Sequence, residues 1–323
     1  MKAIVMFPEG GMPQYVENYP EPEIGAEGQA LISVQAVALK HLDKSRANGT
    51  HYSTDTPGKP KVIGMDGVGF LEDGTSVYAI GISGMMAQKA IVDKSRMVVL
   101  PAGIAPAVAA ALPNAIAGSA MALRYRANIQ AGDTVLINGA TGFTGRNAIQ
   151  LARYHGAKKI IATGRNEASL QHLLTLGVDE VISLQQPDDS IISRLKEIHR
   201  TSPIDIIVDY TWGRPAELIL ETLKGQGNFT HRTRFVTVGS MAGDTIQLSS
   251  EILRSVNLHL TGSGLGSWTK AEMRILLTEI LPEMLQLAVE GKLKVDVQTL
   301  AINEFEKAWE MDVESGRRLV VVV

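Results

Sequence analysis

The middle of the chain alternates short apolar runs with longer amphipathic stretches. Most of the amphipathic stretches have helical periodicity and about 10–17 residues, whereas the apolar runs are near-continuous. Near-continuous apolar strands between helices are typical of a parallel sheet that helices cover on both faces. The pattern therefore predicts a doubly wound α/β domain with the six strands of a Rossmann sheet, at residues 134–138, 159–163, 180–183, 204–209, 234–238 and 258–261.

The two flanks of this region have a different texture. Residues 30–37 have a strand pattern within a first third that glycines and prolines punctuate, which indicates a compact, mostly β domain. An alanine-rich helix at about residues 105–125 leads into the alternating region. After Gly266 the sequence predicts a helix, a strand, a short helix and a strand, at about residues 270–290, 295–300, 303–311 and 318–323. We expect this tail to fold back onto the N-terminal domain.

A glycine-rich segment follows the first of the six strands. Ala140, Gly142 and Gly145 have the G-x-G-x-x-G spacing with alanine first, and a helix pattern at residues 146–154 follows. This spacing lets the chain turn sharply, lets backbone N–H groups approach a pyrophosphate and lets the helix pack closely on the strand. Strand, loop and helix in this order predict a dinucleotide site, with a merely structural glycine turn as the alternative. The predicted site residues are Ala140, Thr141, Gly142, Phe143, Thr144 and Gly145.

The next predicted strand leads into Gly164, Arg165 and Asn166, which we also predict to bind the cofactor. A site for NAD has an acid near this point for the ribose 2′-hydroxyl, and none of the three residues supplies one. A guanidinium grips phosphate oxygens bidentately, so Arg165 favours NADPH as the cofactor. An exposed loop arginine is the alternative, although the missing acid disfavours NAD in either case.

Composition and charge restrict the other possibilities. The 323 residues suggest two domains, and a net charge of −3 without a basic stripe gives no reason to expect nucleic acid or a membrane as a partner. The chain has no cysteine, which excludes disulfides, thiol catalysis and cysteine-ligated zinc. No apolar run approaches the ~18 residues of a membrane span, and the N-terminal apolar run ends early at Pro8 and Glu9, unlike a signal peptide. We therefore expect a cytoplasmic protein.

Nearly the whole chain resembles the medium-chain dehydrogenase/reductase superfamily, in its zinc-free quinone oxidoreductase branch. The glycine-rich segment is the most specific match, and weaker matches lie at residues 1–4, 25–34, 43–49, 64–69, 112–114, 238–240, 260–263 and 314–320. The resemblance implies a mostly β, GroES-like catalytic domain of residues 1–112 and 267–323, and a Rossmann domain of residues 113–266. It also implies a small-molecule substrate that meets the nicotinamide in a cleft between the domains. Family members commonly form homodimers through the last Rossmann strand, here near residues 258–261.

The resemblance adds further candidate site residues. It implies cofactor contacts at Asn114, Gly239, Ser240, Gly262 and Arg317. Asn114, at a predicted helix start, could bind the carboxamide or could cap the helix. Tyr52 lies where relatives place a cleft aromatic, so it could stack on the ring or donate its hydroxyl, with core packing as the alternative.

The chain also departs from the family. The zinc branch has cysteine at the position of Lys40 and histidine at the position of Met65, so we expect no catalytic metal; the quinone branch usually has asparagine at the first of these positions. A desolvated Lys40 could donate a hydrogen bond or a proton to an enolate oxygen, with a solvated lysine on a loop flank as the alternative. Asp66 is expected to make a structural turn bond. A lysine that relatives use near the adenosine phosphate corresponds to Ser169, so Arg165 would have to replace it.

These departures favour one class of substrate. A site without a metal polarises a carbonyl poorly, whereas quinones and α,β-unsaturated carbonyls are already activated as hydride acceptors. We therefore predict an NADPH-dependent, zinc-independent oxidoreductase that reduces a quinone or an enone. An NADPH-binding sensor or structural protein without turnover is the alternative. An alcohol dehydrogenase is disfavoured by Lys40 and Met65.

Overall fold

The computed structural model describes residues 1–47, 58–228 and 230–323. Its strands are β1 (Ala3–Met6), β2 (Gln14–Val16), β3 (Gln29–Ala38), β4 (Lys61–Val62), β5 (Asp66–Phe70), β6 (Ser76–Gly81), β7 (Lys89–Val99), β8 (Thr134–Asn138), β9 (Lys159–Gly164), β10 (Glu180–Ser183), β11 (Ile206–Asp209), β12 (Thr233–Thr237), β13 (Leu258–Gly262), β14 (Asp296–Ala301) and β15 (Arg317–Val322). Its α-helices are α1 (His41–Ala47), α2 (Pro106–Ala120), α3 (Phe143–Tyr154), α4 (Glu167–Leu174), α5 (Asp188–Thr201), α6 (Gly213–Leu223), α7 (Ser250–Ser255), α8 (Lys270–Ile275), α9 (Leu281–Val289) and α10 (Phe305–Glu310). The described residues divide into two compact units, Met1–Asn114 with Arg274–Val323, and Ala115–Met273.

The first unit is mostly β. Six of its strands form a sheet in the order β14–β15–β3–β5–β6–β7, and an additional β3–β7 pairing closes four of them into a small barrel. Strand β3 alternates buried and more exposed positions along much of its length, the period of a strand with one face in the core. Ile32, Phe305 and Val321 belong to that core. Strand β15 pairs antiparallel with β3, with Val320 opposite Ala38, which confirms that the tail folds back onto the N-terminal part.

The second unit contains the predicted Rossmann sheet. Its six strands are parallel and lie in the order β10–β9–β8–β11–β12–β13. Successive strands of the chain are added outward from β8 on one side of the sheet and outward from β11 on the other. The topological switch point therefore lies between β8 and β11. Leu136, Ile161, Ile207 and Phe235, on four neighbouring strands, are fully or almost fully buried in one core cluster with residues of the helices. Together the two units have the predicted fold class.

The predicted elements agree closely with the observed ones, with one exception. Each predicted strand of the second unit is present within two residues of its predicted ends. The expectation that Asn114 begins a helix is wrong, because α2 begins at Pro106 and Asn114 lies half-buried in its interior. The alanines before Pro113 are strong helix formers, and Pro113 removes only one intrahelical N–H donor.

One helical segment is long and apolar enough to cross a membrane by length and composition alone. It is Pro106–Arg126, in which a π-helical stretch continues α2, and 67% of its most apolar window is buried inside the protein. The core helix of a globular protein meets the same criterion. The segment is therefore weak evidence for a membrane span.

Candidate functional site

The turn between β8 and α3 and the first turn of α3 each contain a glycine that leaves no room for a side chain. Gly139 has φ +79°, and a Cβ atom there would lie 2.7 Å from Cγ2 of Thr211. At Gly145, a Cβ atom would lie 2.7 Å from Cα of Ala140 and from the carbonyl oxygen of Gly139. Glycine at these two positions lets α3 begin directly against the end of β8.

The N-terminus of α3 differs from those of its neighbours because it is open to an external anion. Exposed Gly142 stands at its N-cap position, and among the described residues no side chain caps it and no acid lies in its first turn. By contrast, α4 is capped by Asn166, α5 has two aspartates in its first turn, and α6 begins where Asp209 accepts backbone N–H bonds. Free N–H groups and the positive end of the helix dipole make the start of α3 suitable for a phosphate.

The segment after β9 lies against this turn. A Cβ atom on Gly164 would lie 2.6 Å from Cγ2 of Thr141, so the two loops are in close contact. Arg165 follows, exposed, and has no hydrogen bond or ion pair with any described part of the chain. Asn166 caps α4 by accepting a hydrogen bond from the backbone N–H of Ser169 at 2.8 Å. The guanidinium of Arg165 is thus available to a 2′-phosphate, while Asn166 already has a structural partner.

The side chains of the turn itself are mostly turned away from solvent. Ala140 and Phe143 are buried, and the backbone N–H of Ala140 donates to the carbonyl oxygen of Thr163 at 2.9 Å. Thr141 and Thr144 are half-buried, and Cγ2 of Thr144 would lie 3.3 Å from a Cβ atom on Gly118 of α2. We expect this segment to bind a cofactor mainly through its N–H groups.

The remaining predicted cofactor residues of this unit lie at the same edge of the sheet. Gly239 follows β12, and a Cβ atom there would lie 2.9 Å from the carbonyl oxygen of Tyr210. Ser240 is exposed beside it, and Gly262 is the last residue of β13. Because the strands are parallel, the sheet brings to one edge the segments after β8, β9, β12 and β13 that the sequence predicts to bind the cofactor.

Sequence reasoning missed three buried polar residues at this edge. Asn138 ends β8, Asp209 ends β11, and Thr163 is the last residue but one of β9. Asn138 Nδ2 donates to Asp209 Oδ1 at 2.7 Å, and the Thr163 hydroxyl donates to Asn138 Oδ1. Burial raises the pKa of Asp209, and the N–H and O–H groups that donate to it oppose that rise. The sequence does contain a sign of these residues, because each is a polar residue near the carboxyl end of an otherwise apolar strand.

In the first unit, Lys40 belongs to a buried group of polar side chains, which we call the Lys40 cluster. Its members are the buried Lys40, Asp43, Asp66 and Tyr78, and the half-buried Arg318, which interacts electrostatically with the two carboxyl groups. The Lys40 ammonium donates to Asp66 and lies 3.8 Å from Oδ2 of Asp43. The Tyr78 hydroxyl donates to Oδ2 of Asp66 at 2.8 Å. Asp43 also accepts from the backbone N–H of Lys40 at 2.9 Å, a bond that fixes the first turn of α1.

Burial and charge act in opposite directions within this cluster. Burial by itself lowers the pKa of Lys40, but Asp43 and Asp66 outweigh it and raise that pKa above its ordinary value. Burial raises the pKa of Asp43, and Lys40 opposes the rise. Burial lowers the pKa of Arg318 to about 10, so the guanidinium and the ammonium are both charged at neutral pH. The Lys40 cluster therefore combines two cations with two carboxyl groups.

These contacts correct two expectations. The solvated alternative for Lys40 is wrong, because the side chain is buried and ion-paired. The expected turn bond of Asp66 is also wrong, because Asp66 begins β5 and accepts hydrogen bonds from Lys40 and Tyr78. Donation of a proton by Lys40 to a substrate stays a prediction, and the contacts that the structure describes support a structural role.

Two other candidates have less to support them. Arg317 begins β15 and is exposed, with its guanidinium 3.2 Å from Glu314. Tyr52 lies outside the described residues. The described residues also contain no group of three or more histidine, aspartate or glutamate side chains placed to hold a metal ion.

Comparison with known sequences shows that the chain is similar to oxidoreductases. Residues 144–283 match the family described as zinc-binding dehydrogenases. The chain is 25% identical to the "Probable NADPH-dependent quinone reductase tdiC" of Emericella nidulans, in a match over 96% of each chain. It is 34% identical to the chloroplastic NADPH-dependent alkenal/one oxidoreductase of Arabidopsis thaliana, in a match over 56% of this chain and 52% of the relative.

Comparison with solved structures also shows similarity to an oxidoreductase. The quinone oxidoreductase of Thermus thermophilus, whose structure is also known in complex with NADPH, matches over 100% of both chains. The TM-score is 0.77 and the sequence identity is 26%. The fold, the glycine-rich turn and these relatives all support the resemblance to the medium-chain dehydrogenase/reductase superfamily, in its quinone oxidoreductase-like branch.

Proposed function

We propose that this protein is an NADPH-dependent oxidoreductase that transfers a hydride to a quinone or to an α,β-unsaturated carbonyl compound. One observation carries the proposal: an exposed, unpaired Arg165 lies in the loop beside the open N-terminus of α3, in the part of the chain that the structure describes. The N–H groups suit a pyrophosphate, and the guanidinium suits a 2′-phosphate. The relatives whose names include NADPH support the same cofactor.

The order of the strands indicates which way round a bound cofactor would lie. When bound, the nicotinamide supplies the hydride chemistry, and the protein supplies position. Strand β9, which leads to Arg165, lies on one side of β8, whereas β12 lies on the other side beyond β11. If Arg165 held the adenosine end and the N–H groups at Gly142 the pyrophosphate, Gly239 and Ser240 would be the residues on the nicotinamide side.

We infer the class of hydride acceptor from the two positions at which the zinc branch has its metal ligands. Here those positions hold Lys40 and Met65, and the Lys40 ammonium is already paired with carboxylates. A divalent cation beside that ammonium would be repelled. A carbonyl without a metal is polarised weakly, so we propose substrates whose conjugation already activates them as hydride acceptors.

Turnover distinguishes this proposal from an NADPH-binding protein without catalysis. We expect the purified protein to oxidise NADPH steadily with at least one acceptor from a panel of benzoquinones, naphthoquinones, alkenals and enones. Absorbance at the reduced-nicotinamide band measures the rate, with secondary alcohols plus NADP⁺ as the comparison. Inertness toward the whole panel, with NADPH bound, would support the sensor or structural alternative. Oxidation of alcohols alone would support an alcohol dehydrogenase.

Replacing Arg165 with alanine is expected to weaken NADPH binding at least tenfold, ~1.4 kcal/mol or more, while NADH binding changes little. The reason is that the guanidinium interacts with the 2′-phosphate, which NADH lacks. Fluorescence titration of each variant with each dinucleotide measures the effect. Arg200→Ala, which removes another exposed arginine of the same unit, is the matched control and should change neither affinity. An equal loss for both dinucleotides would contradict the assignment of Arg165.

We also propose that the protein forms a homodimer through β13. We further propose that it is located in the cytoplasm. In the described residues β13 pairs with β12 alone, so one of its edges has backbone groups that no other strand of this chain satisfies. A second copy could continue the sheet there. Light scattering after gel filtration should give twice the chain mass; the mass of one chain would contradict the dimer. A chain without cysteine needs no oxidising compartment to form disulfides, and recovery in the membrane fraction of a cell lysate would contradict a cytoplasmic location.

A further inference from the structure

Three neighbouring strands of the second unit end in one chain of buried polar side chains. Thr163 of β9 donates to Asn138 Oδ1 of β8, and Asn138 Nδ2 donates to Asp209 Oδ1 of β11 at 2.7 Å. All three residues are fully buried. We call Thr163, Asn138 and Asp209 the strand-end network. It ties together the two strands at the switch point and the strand that leads to Arg165.

On one side, the strand-end network holds the glycine-rich turn. The backbone N–H of Ala140 donates to the carbonyl oxygen of Thr163 at 2.9 Å. The backbone N–H of Gly139 donates to the Thr163 hydroxyl oxygen at 3.4 Å. The position of Thr163 is in turn fixed by its bond to Asn138. The turn that would receive the pyrophosphate therefore depends on side chains that a bound cofactor would not touch.

On the other side, Asp209 holds a strained stretch of backbone. Trp212 has φ +52° and ψ −153°, a conformation that favours glycine over any residue with a side chain. Both carboxylate oxygens of Asp209 accept from the Trp212 N–H at 3.1 Å, and Oδ1 also accepts from the Thr211 N–H at 3.0 Å. These bonds keep the chain in the strained turn.

The strained turn supports the loop after β12. The backbone N–H of Ala242 donates to the carbonyl oxygen of Thr211 at 2.7 Å. Packing is close here, because a Cβ atom on Gly213 would lie 2.7 Å from the carbonyl oxygen of Ala242. Gly239 and Ser240, which are predicted to bind the cofactor, belong to this loop. Its position therefore depends on the turn that Asp209 holds.

We infer that Asp209 is the positioning residue of the dinucleotide site, an inference that rests on the proposed function. Its carboxylate joins the glycine-rich turn, through Asn138 and Thr163, to the loop of Gly239, through Thr211. No lysine or arginine in the described part of the chain pairs with Asp209, and its described partners are N–H and O–H donors. It acts on the cofactor only through the loops that it holds in place.

Asp209→Asn tests this inference. The substitution keeps the size of the side chain but replaces one acceptor oxygen with an NH₂ group, which must then face the Asn138 amide or the backbone donors. We expect the dissociation constants for NADPH and NADH to rise by at least tenfold and by the same factor, within twofold. The equal factor separates Asp209 from Arg165, whose replacement should affect NADPH alone. Fluorescence titration of the full-length protein gives both constants.

Two further variants separate positioning from general loss of stability. Leu195→Ala removes a fully buried side chain from α5 in the same unit, a helix with no described hydrogen bond to the strand-end network, and destabilises the unit by creating a cavity. Titrated well below its unfolding temperature, it should bind both dinucleotides as the wild type does. If Asp209→Asn does not fold, Thr163→Val removes the hydroxyl that links Gly139 to Asn138 at similar volume. It should weaken both dinucleotides by about threefold or more, ~0.6 kcal/mol.

The outcomes separate the inference from the proposed function. The inference is overturned if Asp209→Asn binds both dinucleotides within twofold of the wild type, or if Leu195→Ala loses as much affinity. It is also overturned if the loss is confined to NADPH. If the wild type binds neither dinucleotide, the proposed function itself fails and takes the inference with it. Equal loss in Asp209→Asn with unchanged binding in Leu195→Ala supports the positioning role.

Discussion

Replacing Lys40 with methionine is expected to lower the free energy of unfolding by about 3–5 kcal/mol. Methionine removes the charge but keeps much of the length and volume of the lysine side chain. The change leaves Asp43 and Asp66 buried with Arg318 as the remaining cation of the Lys40 cluster. Breaking a buried ion pair by removing one partner is costly, since it leaves a charge without compensation. Urea denaturation of the full-length protein, followed by circular dichroism, measures the loss.

The loss of stability in Lys40→Met should also grow with pH. Without Lys40, the folded-state pKa of Asp43 rises further above its unfolded value of ~3.9, since the Lys40 charge lowers that pKa more than the Arg318 charge does. Between the unfolded and the folded pKa the folded protein binds more protons than the unfolded chain, so stability falls as pH rises through that window. In the wild type, the raised pKa of Lys40 means that its contribution is fully present below ~10.4 and is lost only as pH rises through the folded value. The variant should therefore be closer to the wild type at pH 5 than at pH 8.

Lys94→Met is the matched control for this prediction. Lys94 is exposed on β7 of the same unit, so its replacement should change stability by less than ~0.5 kcal/mol. A loss of less than about 1 kcal/mol in Lys40→Met, or a loss that is equal at both pH values, would contradict a charge-balanced buried cluster.

Replacing Gly145 with alanine is expected to weaken NADPH binding by roughly 100-fold, ~2.7 kcal/mol. The added Cβ atom would lie 2.7 Å from Cα of Ala140 and from the carbonyl oxygen of Gly139. Backbone atoms cannot rotate away as a flexible side chain can, so either α3 or the turn must shift. The shift moves the N–H groups at Gly142 that would receive the pyrophosphate. NADH binding should fall by the same factor, because both dinucleotides contain the pyrophosphate.

The control for Gly145→Ala is Gly264→Ala, the same substitution at a position where an added Cβ atom meets no neighbouring atom of the described residues. Gly264 lies in the same unit, has an extended backbone with φ −159°, and has no heavy atom of the described chain within 4 Å of an added Cβ. Gly264→Ala should therefore bind NADPH and NADH like the wild type. Unchanged affinity in Gly145→Ala would mean that the turn between β8 and α3 is not the cofactor site.

Local sequence patterns predicted most of the fold. Near-continuous apolar runs located the six strands of the parallel sheet within two residues, because such strands are buried on both faces and stop at polar or turn residues. The glycine-rich turn was also predictable, since close backbone packing at Gly139 and Gly145 allows no side chain. Asn114 was misplaced because the family resemblance at residues 112–114 implies a helix start there, whereas the alanine-rich pattern at about residues 105–125 already predicts a helix that contains it.

The Lys40 cluster and the strand-end network were not predictable in this way. Asp66 is 26 residues from Lys40 in the sequence, so their ion pair exists only after the strands of the first unit have assembled. Asn138 and Asp209 are 71 residues apart and meet only because β8 and β11 are neighbours at the switch point. A single sequence shows which residues are polar, but not which of them the folded chain brings together.

The dinucleotide site is best tested by a pair of fluorescence titrations of the purified wild-type protein, one with NADPH and one with NADH. The open N-terminus of α3 predicts that both dinucleotides bind, and the exposed guanidinium of Arg165 predicts that NADPH binds at least tenfold more tightly. That result would support the cofactor site and its preference together. Equal affinities would contradict the role of Arg165, and failure of both to bind would contradict the dinucleotide site itself.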